Sequence, residues 1–132
     1  MKISVAMATY NGAQYIEEQL ESIRIQTMPV DEVRICDDGS SDDTVEVICR
    51  YIREHGLESS WSVEVNQENL GYASNFMKAV GLTSGDYVFF CDQDDIWIAD
   101  RAERMIGLME AHPDMLLLGS EVAHGDVLVR VV

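Results

Sequence analysis

GDYVFFCDQDDIW, residues 85–97, sets an almost unbroken apolar run, Tyr87 to Cys91, directly against an acidic turn in which Asp92, Asp94 and Asp95 surround Gln93. A strand with one face in water alternates apolar and polar residues, and this one does not. It therefore reads as a central strand covered on both sides, the situation of a parallel sheet between helices. The carboxylates at its mouth exceed what a turn or a helix cap needs, and their mutual repulsion calls for a counter-charge.

Working outward, the same unit of buried strand, polar turn and amphipathic helix recurs. Residues 2–8, KISVAMA, form a strand stopped by Thr9-Tyr10-Asn11-Gly12, and Ile16, Leu20 and Ile23 mark the inner face of a helix over 13–26. Glu32 to Cys36 is a second strand, closed by Asp37-Asp38-Gly39-Ser40. A helix over 42–55 follows, turning Val45, Ile48, Cys49 and Ile52 inward, with Ser40 or Ser41 as its cap and Gly56 at its exit. Trp61 to Asn66 alternates as a strand, Tyr72 to Leu82 is a helix with Phe76 and Val80 inward, and Ala99 to Ala111 is a helix stopped by His112-Pro113, ahead of the apolar Met115 to Leu118. Strict alternation gives an α/β fold: one Rossmann-like domain over residues 1–132, mostly parallel, with helices on both faces.

A chain of 132 residues suffices for one core, and its 47% hydrophobic and 25% charged residues are those of a globular protein. The N-terminus has no small-residue cleavage site, so a cytoplasmic location is expected. A net charge of −15 excludes nucleic acid and anionic membrane as direct partners, since both require a basic footprint. Cys36, Cys49 and Cys91 have no metal-type spacing and are expected as reduced, mostly buried thiols.

In an open parallel sheet the turns after the strands share one edge, and ligands bind there where strand order reverses. The turns 9–12, 37–40 and 92–95 would then converge, bringing five carboxylates towards one crevice in a chain with nine lysines and arginines. Mg²⁺ or Mn²⁺ is the economical counter-ion, because it takes carboxylate oxygens and bridges to substrate phosphates. A calcium loop of the EF-hand type, a Walker phosphate loop and a G-x-G-x-x-G fingerprint are all missing.

Four segments, SVAMATYNG (4–12), ICDDGSSDDT (35–44), NLGYASNFMKAV (69–80) and GDYVFFCDQDDIW (85–97), occur in the order and spacing of family 2 glycosyltransferases of GT-A fold, and the chain resembles their donor-binding half. The DQDDIW form is most similar to rhamnosyltransferases of bacterial surface polysaccharide synthesis. The resemblance implies that Ala8, Thr9 and Tyr10 form the first nucleotide-contacting turn, that Asp38 pairs with a pyrimidine ring and that Asp37 shapes the turn beside it. Asn69, Gly71 and Asn75 would pass near the nucleotide-diphosphate sugar, a UDP- or dTDP-sugar. Asp92 and Asp94 would be the D-x-D pair, Asp94 as direct metal ligand and Asp92 as a contact to ribose or, through water, to metal. Asp95 would support that pair or touch the donor sugar.

The family inverts the anomeric centre with a carboxylate base lying well downstream of D-x-D, in the part that builds the site for a saccharide or lipid-linked acceptor. Glu121 and Asp126 are the carboxylates here beyond Asp114. The base is expected downstream of Val132, and residues 1–132 are expected to bind a donor without completing catalysis. The apolar segment Val127 to Val132 is expected to pair with a second copy of the chain, as an exposed strand edge invites. A non-catalytic binding fragment is the main competitor. A Mg²⁺-binding phosphoacceptor receiver is another, but it wants its acidic pair after strand one, and a nucleotidyltransferase wants a basic Gly-rich loop there.

Overall fold

The structure, a computed structural model, describes residues 1–92, 95–119 and 127–131. Ten elements run β1 (Ile3–Thr9), α1 (Ile16–Arg24), β2 (Glu32–Asp37), α2 (Thr44–Glu54), β3 (Trp61–Val65), α3 (Tyr72–Gly81), β4 (Tyr87–Cys91), α4 (Arg101–Ala111), β5 (Leu117–Gly119) and β6 (Val127–Arg130). They build a six-stranded sheet of order β3-β2-β1-β4-β6-β5.

Every residue of β1 is buried, because β1 lies between β2 and β4 and both faces are covered. Alternation along the strands divides the core in two. Ile3, Val5 and Met7 of β1, with Val33, Ile35, Phe89 and Leu128, pack against Leu20 and Ile23 of α1, Ile48 and Ile52 of α2, and Ile106 and Met109 of α4. Ala6, Cys36 and Val88 point to the other face and meet Ala79 of α3. The smaller residues on that second face admit a single close helix. Burial of side chains such as Phe89 or Ile35 stabilises the domain by roughly 1.5–3 kcal/mol each.

The chain thus moves outward from β1 through β2 to β3 with α1 and α2 on one face, then crosses back with α3 on the other to place β4 on the opposite side of β1. Strand order reverses between β1 and β4, and that is where a ligand crevice opens in such a sheet.

The sheet is mostly parallel, as expected, with β6 antiparallel to both β4 and β5. Three expectations need correction. Val127 to Arg130 is paired on both sides within its own chain, Val88 facing Val129 and Leu118 facing Leu128, so this segment has no open edge to offer a second copy. Cys49 is exposed, whereas Cys36 and Cys91 are buried as expected. Ser40 and Ser41 do not cap α2; they serve the turn before it, as described below.

Candidate functional site

The turns after β1 and β2 are built as one piece. Asn11, at φ 48°, accepts a hydrogen bond on Oδ1 from the Ser41 amide at 2.8 Å, and its own amide donates to Ser40 Oγ at 2.8 Å. The Gly12 amide donates to Thr44 Oγ1 at 2.8 Å, which ties the same turn to the start of α2.

Asp37 is the keystone of this piece. Its carboxylate accepts from Thr9 Oγ1 at 2.7 Å, Ser40 Oγ at 2.6 Å, the Ser40 amide at 2.7 Å and the Gly39 amide at 3.1 Å, and it is fully buried. All four lone-pair sites of a carboxylate are thereby used. Thr9 is spent on the same task, its carbonyl accepting from the Asp38 amide at 2.9 Å. Ala8 is buried in the β1–β2 ladder opposite Cys36, and Tyr10, at the strand's end, is exposed.

Asp38 is held from the next loop. Its Oδ1 accepts from the Leu70 amide at 2.7 Å and Asn66 Nδ2 at 3.0 Å, and its Oδ2 from the Gly71 amide at 3.0 Å. Gly71 sits at φ 86°, a conformation that favours glycine and that turns its amide towards Asp38. Burial opposes the charge on Asp38, but these donors outweigh it and hold the carboxyl below its ordinary range. Asn69 donates from Nδ2 to the Asp38 carbonyl at 3.3 Å and accepts the Gly71 amide at 3.1 Å. Asn75 is buried: its Oδ1 takes Asn66 Nδ2 at 2.7 Å and its Nδ2 gives to the Cys36 carbonyl at 2.8 Å, so it braces the loop from beneath.

On the far side of the reversal, Asp92 follows β4 and is half-buried, and the Tyr72 phenol lies beside it, its pKa pushed up to about 12 by burial and by that neighbouring carboxylate. Asp94 lies outside the described residues, as do Gln93, Glu121 and Asp126. Asp95 is turned inward, 2% exposed, and forms an ion pair with Arg101 at 3.8 Å, while the Arg101 guanidinium lies over the Trp97 ring at 5.3 Å. It supports the loop from within.

These contacts correct the charge argument. Asp37 and Asp38 are compensated by amides and hydroxyls and Asp95 by an arginine, so repulsion among them does not itself demand a cation. Among the described residues no group of three or more His, Cys, Asp or Glu side chains is placed to hold a metal. The donor set still fits one: a hard divalent ion is commonly held by one or two carboxylates plus substrate phosphates, and Asp92 supplies such a carboxylate at the crevice mouth.

Sequence reading passed over Asn66 and Tyr72. Asn66 closes a strand and looks like any turn residue, and Tyr72 opens a helix and looks like surface; only the folded chain brings them against Asp38 and Asp92.

Residues 4–130 match the sequence model of the family described as glycosyl transferase family 2. The chain belongs to that family. Among its family 2 relatives, the dTDP-rhamnosyl transferase RfbG of Shigella flexneri is 39% identical over 104 residues, covering 76% of this chain and 35% of RfbG. The solved structure of TarS residues 1–349 from S. aureus, in complex with UDP, superposes with a TM-score of 0.74 at 29% identity, over 86% of this chain and 33% of that one. Glucosyl-3-phosphoglycerate synthase of Mycobacterium tuberculosis, solved with Mn²⁺, UDP and glucosyl-3-phosphoglycerate, gives a TM-score of 0.55 at 28% identity over 70% of this chain and 33% of that one. The α/β sheet described above is the GT-A fold of these glycosyltransferases. This family 2 chain spans about a third of the length of each of the three.

Proposed function

We propose that residues 1–132 form the donor side of an inverting, metal-dependent glycosyltransferase of bacterial polysaccharide biosynthesis, binding a UDP- or dTDP-sugar in the crevice between the ends of β1 and β4. One observation carries the reading. The Asp38 carboxylate is fixed at that edge by three donors that leave one of its four lone pairs, on Oδ2, to accept the ring N–H of a pyrimidine. Tyr10, exposed beside it, offers a ring for the base. Asp92, on the opposite wall, is assigned to the ribose or the diphosphate, and Asp94 to the metal. The names of the relatives support a pyrimidine nucleotide, since UDP and a dTDP-sugar appear among them.

Mg²⁺ or Mn²⁺, held by Asp92 and Asp94, would supply neutralising charge to the departing diphosphate, where it counts more in the transition state than in the ground state. The chain's own part is to fix the base through Asp38, to present the diphosphate to the acidic turn, and to keep both walls in register through the β1–β4 ladder. The base that deprotonates a saccharide or lipid-linked acceptor is assigned to residues downstream of Val132. No helix among the described residues is long and apolar enough to cross a membrane. Work in the cytoplasm, at the membrane's inner face, fits that assignment.

Titration calorimetry with UDP, dTDP and GDP, with and without Mn²⁺, tests the reading. The pyrimidine diphosphates should bind at least about tenfold more tightly with Mn²⁺, and Asp38→Ala should weaken them by about tenfold or more, as expected for a hydrogen bond to a charged group. Preference for GDP, or indifference to Mn²⁺, would overturn it.

A further inference from the structure

Behind Asp38 runs a chain of polar side chains, Asn66, Asn75 and Lys78. Asn66, buried after β3, gives its Nδ2 to Asp38 Oδ1 at 3.0 Å and to Asn75 Oδ1 at 2.7 Å. Its Oδ1 accepts from Lys78 Nζ at 2.7 Å. Asn75 and Lys78 stand one turn apart on α3, so one helix supplies two of the three partners of the Asn66 amide. Glu64, at 3.9 Å, steadies the lysine from the neighbouring strand.

An ammonium can only donate and a carboxylate can only accept. Reversing the Asn66 amide would set its carbonyl against Asp38 and its NH₂ against Lys78, so one orientation alone is tolerated. Positive charge is thereby relayed through a single amide onto Asp38 Oδ1, each bond polarising the next. With the Leu70 and Gly71 amides in place, Asp38 presents one lone pair and no proton.

We propose that Asn66 and Lys78 are positioning residues that set base specificity: they hold Asp38 as a fixed, acceptor-only group that selects a ring with an imide N–H, uracil or thymine, over cytosine. At the same place cytosine presents a ring-nitrogen lone pair, which would face the carboxylate and leave it unpaired. The inference rests on the donor-site reading above and deepens it.

The test is competition between UDP and CDP, with Mn²⁺ present, for the unaltered chain and for Lys78→Met, Lys78→Arg and Asn66→Leu. The unaltered chain should prefer UDP by at least about tenfold. Lys78 is 38% exposed and Lys78→Met should fold normally; it should cut the UDP-to-CDP ratio by about threefold or more, with Lys78→Arg restoring most of it. A residue that merely supports the fold would weaken both nucleotides alike, and an unchanged ratio overturns the proposal. A second readout needs no ligand: the backbone amide resonances of Leu70 and Gly71, which sit on Asp38, should shift in Lys78→Met, and their constancy would equally overturn it. Should those resonances respond while neither nucleotide binds the unaltered chain, the donor-site reading fails and the placement of Asp38 by Lys78 stands apart from it.

Discussion

Two carboxylates adjacent in sequence carry different tasks because their lone pairs are differently spent. Asp37 has none left, and Asp37→Asn, which trades an acceptor for a donor facing amides and hydroxyls, should destabilise the fold by about 2–3 kcal/mol in urea unfolding. Glu32, at the opposite end of the same strand, is a third case. Burial alone would push its carboxyl up, but hydrogen bonds from Ser4 and Ser84 and the charge of Arg34 outweigh this and hold it at about 2. Its folded value lies below the ordinary 4.5, so the stability it contributes is present above pH 4.5 and is lost as the pH falls towards 2. That contribution is on the order of 2–3 kcal/mol. Glu32→Gln should flatten the acid limb of a stability-against-pH curve measured by chemical denaturation; an unaltered limb would show that Glu32 plays no part in it. Sequence identified Asp37 and Asp38 as a pair. Composition and spacing did not rank them, and only the resemblance to family 2 gave them separate tasks, because the donors that separate them come from residues 9, 39, 40, 66, 70 and 71.

At the scale of elements, helix α1 acts as a template for the chain that follows β4. Gln19 and Ser22 lie on its buried side, and Gln26 follows just past its end. Gln19 donates to the Asp92 carbonyl, Ser22 Oγ accepts the Trp97 amide at 3.0 Å, and Gln26 donates to the Ile98 carbonyl at 2.8 Å while accepting the Ala102 amide at 2.9 Å. The loop after β4 therefore borrows its hydrogen bonds from a helix far away in sequence. Replacing Gln26 by Leu should speed hydrogen exchange at Ala102, with little change in β1 or β2, and equal exchange would show that the glutamine is dispensable. Sequence periodicity found α1 through Ile16, Leu20 and Ile23. The polar residues between them carried no signal, since a buried glutamine and an exposed one look alike until the partner is known.

For the whole molecule, alternation of strand and helix was enough to foresee β1 to β4 and α1 to α4, because each has a local hydrophobic period, whereas the strand order that sets the reversal beside β1 came only with the fold. The reversed β6 was not legible: a four-residue strand carries too short a pattern to reveal its direction, and its place beside β4 is a long-range choice. Leu128 shows what that choice contributes, being fully buried in the main core. Leu128→Ala should lower stability by about 2–5 kcal/mol, measurable as a drop in urea midpoint, whereas a frayed, dispensable tail would tolerate it. The short stretch 69–72 has a larger consequence. Its Leu70 and Gly71 amides rest on Asp38 and its Tyr72 phenol lies beside Asp92, so this one stretch faces both walls of the proposed crevice. On the donor-site proposal, occupancy of one wall should then bias the other even for ligands that never meet. Uridine, which has no phosphate to reach a cation, should change the affinity for Mn²⁺, and by reciprocity Mn²⁺ should change the affinity for uridine by the same factor. Tyr72→Phe should erase this exchange between the two while leaving each able to bind alone.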